Sequence, residues 1–306
     1  MQAYSSLAAG SPSWSIEVGH GNGLGGSSFL VGESLQTDTE LLQAARSNLQ
    51  GIQLSVHSIP GFSTIERDLK PAFELGVDLF RIASHVTEAS VCEKQIEFVS
   101  SLGAVVHGVL MMSHMVDIEE LVSQGRKLLE YGASAVIIMD SAGTYRPEDV
   151  RDRVSALREE LAVEVGFHAH NNLGLAVSNA LSAVTSGASI IDVATLGLGA
   201  GAGNAPYELL AVALGLEKSS PEQFDAVLSL GELVTSSYHQ FLPRISPSSV
   251  RSGLLGVFSG YAPQVSAISE RTGLPAKEIW LEASKRKLVA GQESLLEEIA
   301  QDLSNL

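Results

Sequence analysis

His168 and His170 stand two apart in the stretch Gly166-Phe-His-Ala-His-Asn-Asn-Leu-Gly174, just after the alternating run Leu161-Ala-Val-Glu-Val165. Residues two apart on a strand face the same side, about 6.6 Å from one another along the chain. Two imidazoles can therefore aim at one divalent ion. A hard catalytic ion wants at least one carboxylate beside them. Asp140, Glu17 and the amide oxygen of Asn204 are the candidates, with Asp140 the best replacement. The competing readings are a carboxylate fixed by backbone donors for Asp140 and strand-capping hydrogen bonds for the two histidines.

Other polar residues carry weaker signals. Gly199-Ala-Gly-Ala-Gly203 fits a tight turn over the site better than a phosphate cradle, because glycine spacing alone is weak evidence. The helix after it presents a free N-terminus that could hold a carboxylate. His20, His85 and His114 sit in polar motifs at or just beyond strand ends, and each alone reads as structural. His57 reads either as an acid or base group or as a surface residue. Cys92 lies in a predicted helix beside Glu93 and Lys94, and nothing nearby activates it.

These residues need elements to place them. Short apolar runs recur at 15–20, 52–57, 79–84, 104–110, 135–140, 163–168 and 189–194, each followed by a turn and, in most cases, a helical period. The alternation predicts a parallel sheet. Several runs end in a polar residue, namely His20, His57, Ser84, Asp140 and His168. That pattern predicts an α/β fold, a (β/α)8 TIM-type barrel whose site gathers at the C-terminal ends of its strands. Seven strands are visible where a closed barrel needs eight, so the barrel lacks its first strand. An open doubly wound sheet is the alternative. The barrel is expected over 1–216 and a small helical domain over 221–306.

Bulk composition narrows the function. The 306 residues are 45% hydrophobic and 18% charged, with a net charge of −16. So acidic a chain would be repelled by nucleic acid phosphates. The single cysteine excludes an internal disulfide and points to a reducing compartment. No apolar segment reaches the roughly 18 to 20 residues that span a bilayer. A cytoplasmic protein is expected, neither secreted nor membrane-inserted.

Taken together, Ile16-Glu-Val-Gly-His-Gly-Asn-Gly-Leu-Gly-Gly-Ser-Ser-Phe29, Leu110-Met-Met-Ser-His-Met115, Met139-Asp-Ser-Ala-Gly143, His168-Ala-His170, Gly199-Ala-Gly-Ala-Gly-Asn-Ala-Pro206 and Val289-Ala-Gly-Gln-Glu293 resemble the 4-hydroxy-2-oxovalerate aldolases. The likeness runs from about Gln2 to Leu303. It implies a class II pyruvate aldolase with a barrel, a helical domain and a Mn²⁺ or Mg²⁺ ion. Such an enzyme cleaves 4-hydroxy-2-oxoacids into pyruvate and an aldehyde, acetaldehyde for the type substrate. Chelation of the 2-oxoacid by the ion would stabilise the pyruvate enolate left by the cleavage. An acylating acetaldehyde dehydrogenase subunit is the implied partner.

By that resemblance His168 and His170 are metal ligands, and Ser141, His168 and Phe258 contact substrate. Three departures stand out. The family's first strand, with an Arg-Asp pair and a His three residues later, has no counterpart here, so the catalytic residues are unassigned. Phe258 stands where the family has a tyrosine that reaches into the pocket. The leucines lining the family's aldehyde pocket become Val56-His-Ser-Ile-Pro60. The alternative function is a non-catalytic family member that keeps the fold and a dehydrogenase-binding surface, and a third is a related lyase or synthase using His57. If Met1 is not the natural start, the same reading frame upstream should encode roughly 25 to 35 more residues, one strand and most of a helix. As written, the chain is expected to aggregate or to be closed by a partner or its own N-terminal segment.

Overall fold

All seven apolar runs form strands, and each pairs in parallel with its sequence neighbours. They are β1 (Ser15–Glu17), β2 (Gln53–Ser58), β3 (Leu79–His85), β4 (Val105–Met111), β5 (Ala135–Asp140), β6 (Glu164–Ala169) and β7 (Ile190–Asp192). This computed structural model describes residues 1–29, 31–289 and 291–305. Ala290, within the motif Val289 to Glu293, and Leu306, the last residue of the expected helical domain, lie outside the described residues.

Helices α1 (Gln2–Ala8), α2 (Asp38–Arg46), α3 (Lys70–Glu74), α4 (Glu93–Ser101), α5 (Ile118–Glu130), α6 (Pro147–Leu161) and α7 (Ala176–Thr185) alternate with the strands. Their starts follow from side-chain chemistry. Thr37 and Glu40 form a reciprocal capping box at α2, Asp117 caps α5, and Pro147 opens α6, where a missing N–H costs nothing. The helix expected from Ser63 begins as a single π-turn, Ile65–Leu69, before α3.

Strand alternation sorts the side chains onto two faces. Phe80, Ile82, Leu110, Val136, Ile138 and Phe167 join the core under the helices. Ala83, Val109, Ala135, Ile137 and Ile190 form a smaller cluster on the opposite face. Among the described residues β1 and β7 each have only one strand neighbour. Even so, Arg81 from β3 reaches both Glu17 at the end of β1 and Asp192 at the end of β7. One central side chain can touch both edges only if the sheet curls around its inner face. The fold is therefore the expected TIM-type barrel with seven strands, and not the open doubly wound sheet.

After β7 come α8 (Tyr207–Ala213), α9 (Leu216–Ser219) and α10 (Pro221–Tyr238). The last of these packs against α1 and α8. Helices α11 (Pro247–Leu255), α12 (Ala262–Thr272), α13 (Ala276–Lys285) and α14 (Leu295–Ser304) surround a second core that includes Val257, Tyr261, Ile279, Trp280 and Leu296.

Gly166 of β6 shows how tightly the inner face is filled. A Cβ there would sit 2.2 Å from Cδ1 of Ile137 and 3.2 Å from Cβ of Ile190. Gly166→Val is expected to destabilise the protein by about 1–3 kcal/mol, the usual cost of overpacking, measured as a shift in thermal or urea unfolding.

Candidate active site

Seven parallel strands put their C-terminal ends on one side, and the polar residues gather there. His168 lies near the end of β6 and His170 just beyond it, with ring centroids 5.2 Å apart. Each ring is anchored through Nδ1. His168 Nδ1 donates to Oδ2 of Asp192 at 2.9 Å, and His170 Nδ1 lies 3.1 Å from Oγ of Ser259. Carboxylate support of one imidazole nitrogen fixes the ring and directs the other nitrogen, here Nε2, outward. The two rings do lie side by side, although His170 falls one residue past the end of β6.

Asp192 belongs to a larger network. The Arg81 guanidinium binds Asp192 through Nη2 and Oε2 of Glu17 through Nη1, the latter at 2.9 Å. Burial alone would raise the Asp192 carboxyl, but Arg81 and His168 outweigh it and hold it well below the usual carboxylate range. Burial would likewise lower Arg81, and its two carboxylates outweigh that, so it stays firmly protonated. His170 is pushed down to about 3 by burial and by the neighbouring His168.

Asp140 does not reach the histidines as a donor. Its Oδ1 accepts from Thr144 N at 2.9 Å and its Oδ2 from Tyr145 N at 3.0 Å, fully buried. Burial raises its carboxyl to about 7 against those two N–H groups. The expectation of a replacement ligand gives way to the backbone-fixed carboxylate. Glu17 is occupied by Arg81. Asn204 comes nearest: it bridges to His170 across the backbone, its Nδ2 donates to the Leu198 carbonyl, and its buried Oδ1 has no partner. Among the described residues no three His, Cys, Asp or Glu side chains are grouped to hold a metal. Two imidazoles and one neutral amide do not complete the donor set of a hard divalent ion.

The remaining predicted residues fall as follows. Ser141 is buried, and its Oγ accepts from Met112 N at 2.9 Å, which leaves its own proton free to be donated. Met112 takes a left-handed φ of 54° there. Phe258 packs edge to face on Tyr261, with centroids 5.5 Å apart, at the border of the second core. Gly199 to Gly203 form a tight turn beneath Asn204, where a Cβ on Gly199 would meet the amide at 2.5 Å. His114 bonds to the Gly256 carbonyl at 3.0 Å and ties barrel to helical domain. His85 lies against Thr87 and Met115, and His20 accepts from Asn22 N. Cys92 is buried, its thiol pushed up to about 11, consistent with an unactivated residue. His57 is buried rather than at the surface.

Sequence reasoning missed Arg81, Asp192 and Ser259. The first two had a signal: a charged residue inside an apolar strand must find a partner when buried. Ser259 had none, since only the tertiary fold brings it to His170.

A curled parallel barrel with an imidazole pair at its mouth and a helical domain behind it defines the class, and the model of the HMGL-like family matches residues 16–235. The model of the DmpG-like communication domain matches residues 243–305. The 4-hydroxy-2-oxovalerate aldolase 2 of Salinispora arenicola is 48% identical over 291 residues, covering 94% of this chain and 83% of that protein. The 4-hydroxy-2-oxovalerate aldolase of Spirochaeta aurantia is 46% identical, covering 95% and 85%. This chain belongs to the 4-hydroxy-2-oxovalerate aldolase family. In fold it is similar to the N-terminal domain of a putative aldolase from Bacteroides vulgatus, with TM-score 0.75, 23% identity, 88% of this chain and 90% of that one. It is also similar to the carboxyl transferase domain of Rhizobium etli pyruvate carboxylase crystallised with 3-hydroxypyruvate, with TM-score 0.77, 17% identity and coverage of 100% and 57%. Among the described residues no helix is long and apolar enough to cross a membrane.

Replacing Arg81 tests the network. Arg81→Met leaves the carboxylates of Glu17 and Asp192 without their counter-ion, and breaking a buried pair on one side costs about 3–5 kcal/mol. The upper part of that range is not expected, because Glu17 is half-exposed. Urea unfolding at neutral pH measures it, and the loss should shrink as acid protonates Asp192 in the variant.

Proposed function

We propose that this chain cleaves 4-hydroxy-2-oxovalerate-type 4-hydroxy-2-oxoacids into pyruvate and an aldehyde, acetaldehyde in the simplest case. The observation that carries the reading is the imidazole pair His168 and His170, each anchored at Nδ1, in a chain of this family. In the reaction the C4 hydroxyl loses its proton, the C3–C4 bond breaks, and the electron pair moves onto the 2-oxo group as an enolate. Protonation at C3 then yields pyruvate. His168, held by Asp192, and the Ser141 hydroxyl supply polar contacts for the oxoacid end. Phe258 offers an apolar ring with no hydroxyl.

The family resemblance implies Mn²⁺ or Mg²⁺, and His168 and His170 are the residues that would hold it. The described donors do not complete that site. Binding by two neutral imidazoles without a charged ligand favours weak affinity. Equilibrium dialysis is expected to find Mn²⁺ weakly bound and below one per chain. One tightly held ion would point instead to a third ligand.

A second reading, a non-catalytic member keeping the fold and a partner surface, is favoured by the same incomplete donor set. An acylating acetaldehyde dehydrogenase subunit is the proposed partner, docked on residues 243–305. An apolar groove of about 460 Å³ lined by Ile245, Pro247, Val250 and Leu254 supports that placement. The buried cysteine and acidic composition support a cytoplasmic setting.

Coupled detection of pyruvate from 4-hydroxy-2-oxovalerate separates the two readings. Metal-dependent release that falls at least a hundredfold in His168→Ala supports the enzyme. Absence of release, together with no exchange of pyruvate methyl hydrogens in deuterium oxide, supports the non-catalytic member.

A further inference from the structure

His57 is 8% exposed, and among the described residues its ring has no hydrogen-bond partner. Its neighbours settle its direction. Val56 joins the core under the helices, and Ser58 Oγ donates to Gln95 of α4 at 2.8 Å on that same outer layer of the barrel. In the alternation of β2, His57 therefore faces the inner side, in register with Arg81.

The ring nitrogens of His57 are not among the buried polar atoms left without a partner, so this inward imidazole opens onto the space at the mouth and is free to meet a ligand there. Its surroundings narrow the choice. Burial lowers its basicity, with Arg81 and His168 adding to the effect and Glu17 and Asp192 opposing it, which favours the neutral ring. A neutral imidazole offers one donor or acceptor at each nitrogen. Glu17 and Asp192 already neutralise Arg81 and would repel a second anion. A hydroxyl group is the chemistry that fits.

Position supplies the rest. β2 and β6 lie four places apart in the curled sheet, so they face each other across the mouth. An oxoacid whose pyruvyl end sits at His168 and His170 extends its other end toward β2. We propose that His57 is a specificity residue that binds a hydroxyl on carbon 5, so that 4,5-dihydroxy-2-oxopentanoate is cleaved, to pyruvate and glycolaldehyde, in preference to 4-hydroxy-2-oxopentanoate. This rests on the aldol-cleavage reading above. A methyl group in that place leaves the imidazole unpaired, which corresponds to roughly ten- to a hundredfold in kcat/KM.

The experiment compares kcat/KM for pyruvate release from the two oxoacids in the full chain and in His57→Leu. The expected result is at least a tenfold preference for the dihydroxy acid that falls to about one in the variant. The ratio is internal to each protein, so differences in folded fraction cancel. No preference in the parent chain overturns the proposal. So does an unchanged ratio in His57→Leu, which would place His57 on the C4 hydroxyl or in a structural role. If neither acid is cleaved, the cleavage reading fails, and recognition is read separately from the imidazole NMR signals of His57, assigned by their loss in His57→Leu. A shift on adding pyruvate with glycolaldehyde but not with acetaldehyde supports hydroxyl recognition, and equal shifts or none overturn it.

Discussion

The Arg81 guanidinium is the interaction on which the rest of the architecture leans. From the middle of the sheet it holds a carboxylate on each edge strand, and one of those carboxylates orients His168. A single planar donor with several fixed N–H groups can serve two carboxylates at once, which a lysine ammonium does less well. The two edges are thus drawn together by side-chain charge where, among the described residues, no backbone ladder joins them. One ion-pair network links the two edges across the inner face and helps to set the geometry of the mouth.

That arrangement also limits the chemistry. Carboxylates that neutralise an arginine are not free to serve a metal, and Asp140 is likewise committed to two backbone N–H groups. The imidazole pair is well supported, yet it stands among carboxylates that all have other work. The inner face is polar at Glu17, His57, Arg81 and His107, and apolar at Ala83, Val109, Ile137 and Ile190. Trp14, ahead of β1 and partly exposed, lies tilted against His107 of β4 with ring centroids 5.9 Å apart.

Much of this was legible in the chain because the strand period is short and local. The seven strands, the shared face of His168 and His170 and the tight glycine turn all follow from spacing over a few residues. Asp140 was readable only as two alternatives, since a carboxylate at a strand end can meet either a ligand or the backbone turn after it. The direction of His57 depended on which face of β2 is inner, which its own residues do not declare. Ser259 was beyond reach, because its partner His170 is 89 residues away in sequence.

Ser259 joins the helical region to the barrel through one hydroxyl, which contacts both His170 and the Ser141 carbonyl. An orientation shared by two parts of a molecule obeys reciprocity: whatever favours one rotamer of the ring from the barrel side must bias the helical side by the same free energy. The ring that faces the mouth therefore takes part of its orientation from a residue of the helical region.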